Sequence, residues 1–174
     1  MKLPESELNL ELRDTQWPFV PPVRERQVAR AILFDGSGLL YFVRVTRDDE
    51  FGCGTFLETS GGGVEPGETT ETAILRELRE ELGAQAEIVG KIGVVCDYYN
   101  LIHRRNINHY FLCRVLAFGP THRTREEQER WQLSAVRLTP QEAQAEYLTR
   151  ANSRLGRLIA NRELPVLRAV WEEE

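Results

Sequence analysis

The segment Gly62–Ala84, GGVEPGETTETAILRELREELGA, limits what this chain can fold into more than any other stretch of its 174 residues. Glu65-Pro66-Gly67-Glu68 has Pro at the second and Gly at the third position, the residue chemistry of a type II turn. Gly61, Gly62 and Gly63 just before it permit a close backbone approach that a side chain would block. A glycine loop therefore runs through a tight turn into a helix over Thr70–Leu82, capped by Thr69 or Thr70 and stopped by Gly83. On that helix Glu77, Glu80 and Glu81 share an arc of about 100°. Ile74, Leu75, Leu78 and Leu82 fill the neighbouring arc and anchor the helix to a core. Three carboxylates together repel, and Arg76 beside them offsets part of that. An acidic helix face is ordinarily only a solvated surface. Beside a loop with free carbonyls it also suits a hard divalent cation, because Mg²⁺ takes one or two carboxylates and completes its shell with waters and phosphate oxygens.

Spacing decides between these two readings. Gly62, Glu68, Arg76, Glu77, Leu78, Glu80, Glu81, Gly83 and Ala84 occupy every specified position of G-x5-E-x7-R-E-U-x-E-E-x-G-U, with U aliphatic. A chance match in a chain of this size is on the order of one in ten million. The pattern is the Nudix box, and the chain resembles the Nudix hydrolase family. Its ETSGGGVEPGE run is similar to that of ADP-ribose pyrophosphatase-like members. The resemblance implies an α/β fold, an α/β/α sandwich with a mixed central sheet and the box as a loop–helix–loop. It implies Mg²⁺ or Mn²⁺ held by Glu77, Glu80 and Glu81, with a backbone carbonyl from Gly61 or Gly62, and Arg76 orienting the carboxylates. Gly62, Glu68 and Gly83 would be structural parts of the motif. Ser60 stands where many members have proline, a departure that bears on loop stiffness more than on chemistry.

The activity so implied is cleavage of the diphosphate linkage of a nucleoside diphosphate derivative, with ADP-ribose or a nucleotide sugar as leading substrate. Nucleoside triphosphates come next, then dinucleoside polyphosphates or 5′-triphosphate RNA. Water attacks phosphorus while a carboxylate takes its proton. That carboxylate is Glu77 or one on a later charged loop, where Glu126, Glu127 and Glu129 stand, with Glu127 and Glu129 equally placed. A Nudix-fold module that binds nucleotide without turnover is the alternative from another class. Such modules usually lose box acids or the arginine, and this chain keeps them all.

Around the box, residues 1–26 read as an N-terminal arm and 27–174 as a single domain. The arm suggests a homodimer by analogy. VARAILFD and LLYFVRV read as paired strands, residues 47–54 as a polar loop, and TFLETS as a short extended run. Strands are expected over 85–99, 107–117 and about 131–138, with THRTREEQER as a charged loop. Thr139 and Pro140 open a helix, and a last one runs from Ser153 to Glu163, with Pro165 interrupting any continuation. In CDYYNLIHRR, Tyr98 and Tyr99 are candidates to stack on a base, and His103, Arg104 and Arg105 to meet phosphate or sugar. His109 reads as a structural histidine and His122 as loop.

Charge sharpens the picture. The net charge is −5, and the box alone, with six acids and two bases, accounts for −4 of it. Polyanion or membrane-surface binding by bulk charge is therefore disfavoured, whereas a small nucleotide-type diphosphate held through metal is expected. No apolar run approaches the roughly 18–20 residues of a membrane span, and the acidic start lacks a signal-peptide pattern. Cys53, Cys96 and Cys113 have no C-x-x-C spacing and read as reduced, mostly buried thiols of a cytoplasmic protein.

Overall fold

A computed structural model of the chain describes residues 1–21 and 23–171. It contains strands β1 (Leu8–Leu12), β2 (Arg24–Phe34), β3 (Leu40–Asp49), β4 (Gly52–Glu58) and β5 (Gly61–Gly63), then helix α1 (Thr70–Leu82). Strands β6 (Ala84–Tyr99) and β7 (Arg104–Phe118) follow, joined through one short 3₁₀ turn at Asn100–Ile102. Helix α2 (Arg125–Glu129), strand β8 (Ser134–Leu138), and helices α3 (Pro140–Arg150) and α4 (Arg154–Val170) complete the chain. The sheet is mixed, in the order β1-β6-β7-β2-β3-β4, with β5 added on β2 and β8 on β3. β1 runs parallel to β6 and β2 parallel to β7, and the other pairs are antiparallel.

Side-chain alternation along β2 and β7 builds two cores from one sheet. Ala31, Leu33, Phe111 and Cys113 face α1, where Ala73, Ile74, Leu78 and Leu82 pack on them. Ile32, Tyr110 and Leu112 face the other way, toward Tyr147 of α3 and Leu155, Ile159 and Val166 of α4. The result is the expected α/β/α sandwich. Each buried Ile or Leu of α1 contributes about 2 kcal/mol, and this apolar stripe holds the acidic stripe beside it in a fixed place. Thr69 caps the helix by accepting from the Thr72 N–H at 3.1 Å. Gly83 ends it at φ 65°, where a Cβ would also stand 2.1 Å from the Gly119 carbonyl oxygen.

Several boundaries differ from the sequence reading, each for a tertiary reason. Leu8–Leu12, within the segment read as an arm, forms the edge strand β1. Residues 47–54 are not a loop: β3 and β4 pair down to Asp49 and Gly52. The three glycines pair with β2 as β5, since they offer backbone groups without side-chain bulk. Part of the charged loop closes into α2 through a Thr124–Glu127 capping box. Pro165 does not stop α4, which continues to Val170. The carbonyl that proline leaves unbonded belongs to exposed Asn161, where water can take it, and burial of Val166, Leu167 and Val170 sustains the last turn.

The arrangement of β2 and β3 positions the site. They pair only at Leu33–Tyr41 and Phe34–Leu40. Farther along, β2 turns to β5 while β3 turns to β4 and β8, so the two strands part. A cleft of about 290 Å³ opens between them, with α1 carboxylates on one wall and arginines on its floor.

Candidate active site

Arg76 organises the box. Its guanidinium donates to both oxygens of Glu68 (2.9 and 3.0 Å), to Glu77 (2.6 Å), to Glu80 (3.2 Å) and to the Gly63 carbonyl (3.0 Å). Glu68 also accepts from the Glu65 N–H, so it closes the turn while it holds Arg76. One cation thus fixes the glycine loop, the turn and the helix in a single unit.

Glu77, Glu81 and Glu127 each bring a carboxylate oxygen within 4.8 Å of the others. Glu77 and Glu81 are buried, at 7% and 5% exposure. Burial is the main reason both are raised above the ordinary 4.5, Glu81 to about 8, and the neighbouring carboxylates add to it. Glu81 accepts from the Ser60 hydroxyl (2.6 Å) and the Gly61 N–H (3.1 Å), both neutral donors. Gly62 leaves room for the cluster, because a Cβ there would stand 2.5 Å from a Glu77 oxygen. Several hard oxygen donors that converge on one point, with the space beside them kept clear, match a divalent cation. Glu77 and Glu81 are the residues that would hold it, with a Glu127 oxygen facing them from α2.

The other sequence candidates separate clearly. Glu80 faces Arg76, 34% exposed, and lies outside the converging set. Of the later acids, Glu127 joins the cluster, its side chain held by the Thr124 N–H at 2.7 Å. Glu126 lines the cleft and pairs with Arg130, whereas Glu129 pairs with Arg125 in solvent. Strand alternation splits the CDYYNLIHRR candidates. Tyr99 and Arg104 line the cleft, while Tyr98 and Arg105 face away, Arg105 paired with Glu11 and Glu25. His103 sits in the left-handed turn between β6 and β7. His109 bonds Gln27 at 2.7 Å. The three cysteines are free, Cys53 exposed and the others buried.

Sequence reading missed the floor of the cleft. Arg162 of α4, 1% exposed, donates to Tyr99, Asp97, Glu58 and Glu163. Glu163 also accepts from Thr59 and Tyr110, and Arg30 from β2 bonds Asn108 and the Thr59 carbonyl. Ser60 was missed in a different way: its hydroxyl holds Glu81, so the departure from proline changes chemistry as well as stiffness. Local pattern carries no signal for Arg162, which reaches the site from the far end of the chain. The same-face spacing of Arg26, Val28 and Arg30 along β2 was the legible hint.

A mixed sheet between helices, opened into a cleft beside a glutamate-lined loop–helix–loop, defines the class of protein. The NUDIX domain family model matches residues 24–160, and the chain belongs to that family. Nucleoside triphosphatase NudI of Enterobacter sp. (strain 638) is 69% identical over 29 residues, 17% of this chain. That stretch spans only 21% of the relative's own length. Among solved structures, the E. coli ORF135 protein superposes with a TM-score of 0.57 at 25% identity, covering 84% of this chain and 89% of its own. A MutT protein from Methanosarcina mazei Go1 gives 0.57 at 15% identity, covering 84% and 98%. No helix among the described residues is long and apolar enough to cross a membrane.

Proposed function

We propose that this protein is a divalent-metal-dependent hydrolase of phosphoric anhydride bonds in nucleotides. The observation that carries the reading is the convergence of Glu77, Glu81 and Glu127 on one point of the cleft. A Mg²⁺ or Mn²⁺ ion bound there supplies neutralisation of the diphosphate, polarisation of a P–O bond and a more acidic bound water. The chain's own residues do the rest. Arg76 holds Glu77 at one oxygen, and Ser60 and Gly61 hold Glu81 at one oxygen, which leaves the remaining oxygens turned to the cleft. A carboxylate oxygen of Glu127 takes the proton of the attacking water as the new O–P bond forms and the bridging P–O bond breaks. Glu127 suits this step because it sits on a separate element, free of the Arg76 unit.

For substrate, the reading includes both ADP-ribose or a nucleotide sugar and nucleoside triphosphates. The name of the NudI relatives supports the second, over a 29-residue stretch alone. The test is a panel of nucleoside triphosphates, nucleotide sugars, ADP-ribose and dinucleoside polyphosphates, with Mg²⁺ or Mn²⁺ and product identification. Expected is metal-dependent release of a nucleoside monophosphate, abolished by chelator. Tight nucleotide binding with no cleavage of any member would overturn the hydrolase reading in favour of a binding module.

A further inference from the structure

Two side chains on the cleft floor, buried Asn106 and half-buried Arg104, each carry a buried polar atom with unmet hydrogen-bonding capacity. Arg104 Nε is a donor with no acceptor, and Asn106 Oδ1 an acceptor with no donor. Both line the cleft, two residues apart on one face of β7, about 6.6 Å along the strand. Asn106 is only 3% exposed. Buried polar groups are ordinarily satisfied, and an orphaned donor beside an orphaned acceptor points to a ligand that supplies the complements. The contrast with Asn108, next on the same face, is direct. Its amide is fully engaged by Arg30, the Val95 carbonyl and Asp97. No carboxylate pairs with Arg104 among the described residues, and burial together with nearby Arg26 lowers its proton affinity.

We propose that Arg104 and Asn106 form a base-reading subsite, which takes the hydrogen-bonding edge of a nucleobase through one acceptor and one donor. A phosphate would satisfy Arg104 but not Asn106, because its ionised oxygens are all acceptors. A heterocycle edge offers both. Phe51 supplies the flat apolar partner at the same cleft, held edge-on by Trp17 (5.4 Å) and Tyr99 (5.8 Å). Arg26, beside Gly63, lines the same cleft and interacts electrostatically with both Arg104 and Glu77, where the charged linkage would pass. The subsite rests on the nucleotide reading above and adds selectivity among bases to it.

Two arms test it. In the first, kcat/KM is measured for ATP, GTP, CTP, UTP and dCTP on wild type, Asn106→Leu and Arg104→Met, with thermal unfolding as the folding control. In the second, nucleoside 5′-monophosphates are titrated calorimetrically in chelator, so that binding is read without turnover. Wild type is expected to separate best from worst base by about 10–100-fold, and either folded variant to compress that ratio to within about threefold. A merely structural role lowers every substrate alike and leaves the ratio intact, which overturns the proposal. So does a preference that follows the 2′-hydroxyl of CTP over dCTP rather than the base. If wild type cleaves neither these triphosphates nor any member of the wider panel above, yet monophosphates show a base preference that Asn106→Leu abolishes, the hydrolase reading fails and the subsite stands.

Discussion

The cleft contains two buried charged clusters built on opposite logic. Around Arg162, carboxylates from β4, β6 and α4 meet its guanidinium, with Arg30 and Arg47 also beside Glu58 and the Thr59 and Tyr110 hydroxyls donating to Glu163. Around Glu81, carboxylates from α1 and α2 meet each other, and the chain's cation, Arg76, stands to one side on Glu68, Glu77 and Glu80. The first cluster is complete within the chain. The second is complete only with something added. Burial of charge by itself therefore does not mark a site; the missing counter-charge does.

Substitutions in the two clusters should diverge accordingly. Glu81→Gln is expected to lower turnover on the order of 10²–10⁴-fold while leaving the metal-free fold at least as stable as wild type. Steady-state kinetics and chelated thermal unfolding check both halves, and a variant that unfolds early would place Glu81 in the structural cluster instead. Arg162→Met should do the reverse. It leaves buried Glu163 with hydroxyl donors alone and takes one partner from Asp97 and Glu58, at a cost of about 3–5 kcal/mol, readable as a shifted urea midpoint.

The pH response sharpens the same contrast. Glu81 is raised from 4.5 to about 8, so the folded state binds more protons than the unfolded one between those values. Stability in chelator should then fall as pH rises from about 5 to 8. The slope should shrink in Glu81→Gln to the part that Glu77 contributes, and reverse when Mg²⁺ is present, because the cation binds the ionised form. A flat profile in wild type would show that the carboxyl is already ionised.

Smaller effects follow from residues that act through the cluster. Ser60→Ala removes the hydroxyl at 2.6 Å from Glu81 and should weaken metal binding about tenfold, measured by Mn²⁺ titration. Among the later acids, Glu127→Gln should slow turnover at least tenfold. Glu129→Gln, which disturbs only an exposed pair with Arg125, should change stability by less than about 0.5 kcal/mol and leave rate unaffected.

The chain by itself determined α1 to within a residue at its cap, because cap, apolar stripe and stop are local signals within 15 positions. It also determined the box acids, whose one-turn spacing needs no distant partner to be read. Composition placed the charge there before any fold was drawn: the box carries most of the −5. What tertiary structure decided are the pairings across long separations. It chose Glu127 over Glu129 by folding α2 onto the cleft, and Tyr99 and Arg104 over Tyr98 and Arg105 by strand parity. It brought Arg162 from α4 under the cleft, and it carried α4 through Pro165 by burying the residues beyond it. The physical reason is common to all of these. Helix periodicity and capping are settled between neighbours, whereas the partner of a buried charge is chosen by packing among residues far apart in the chain.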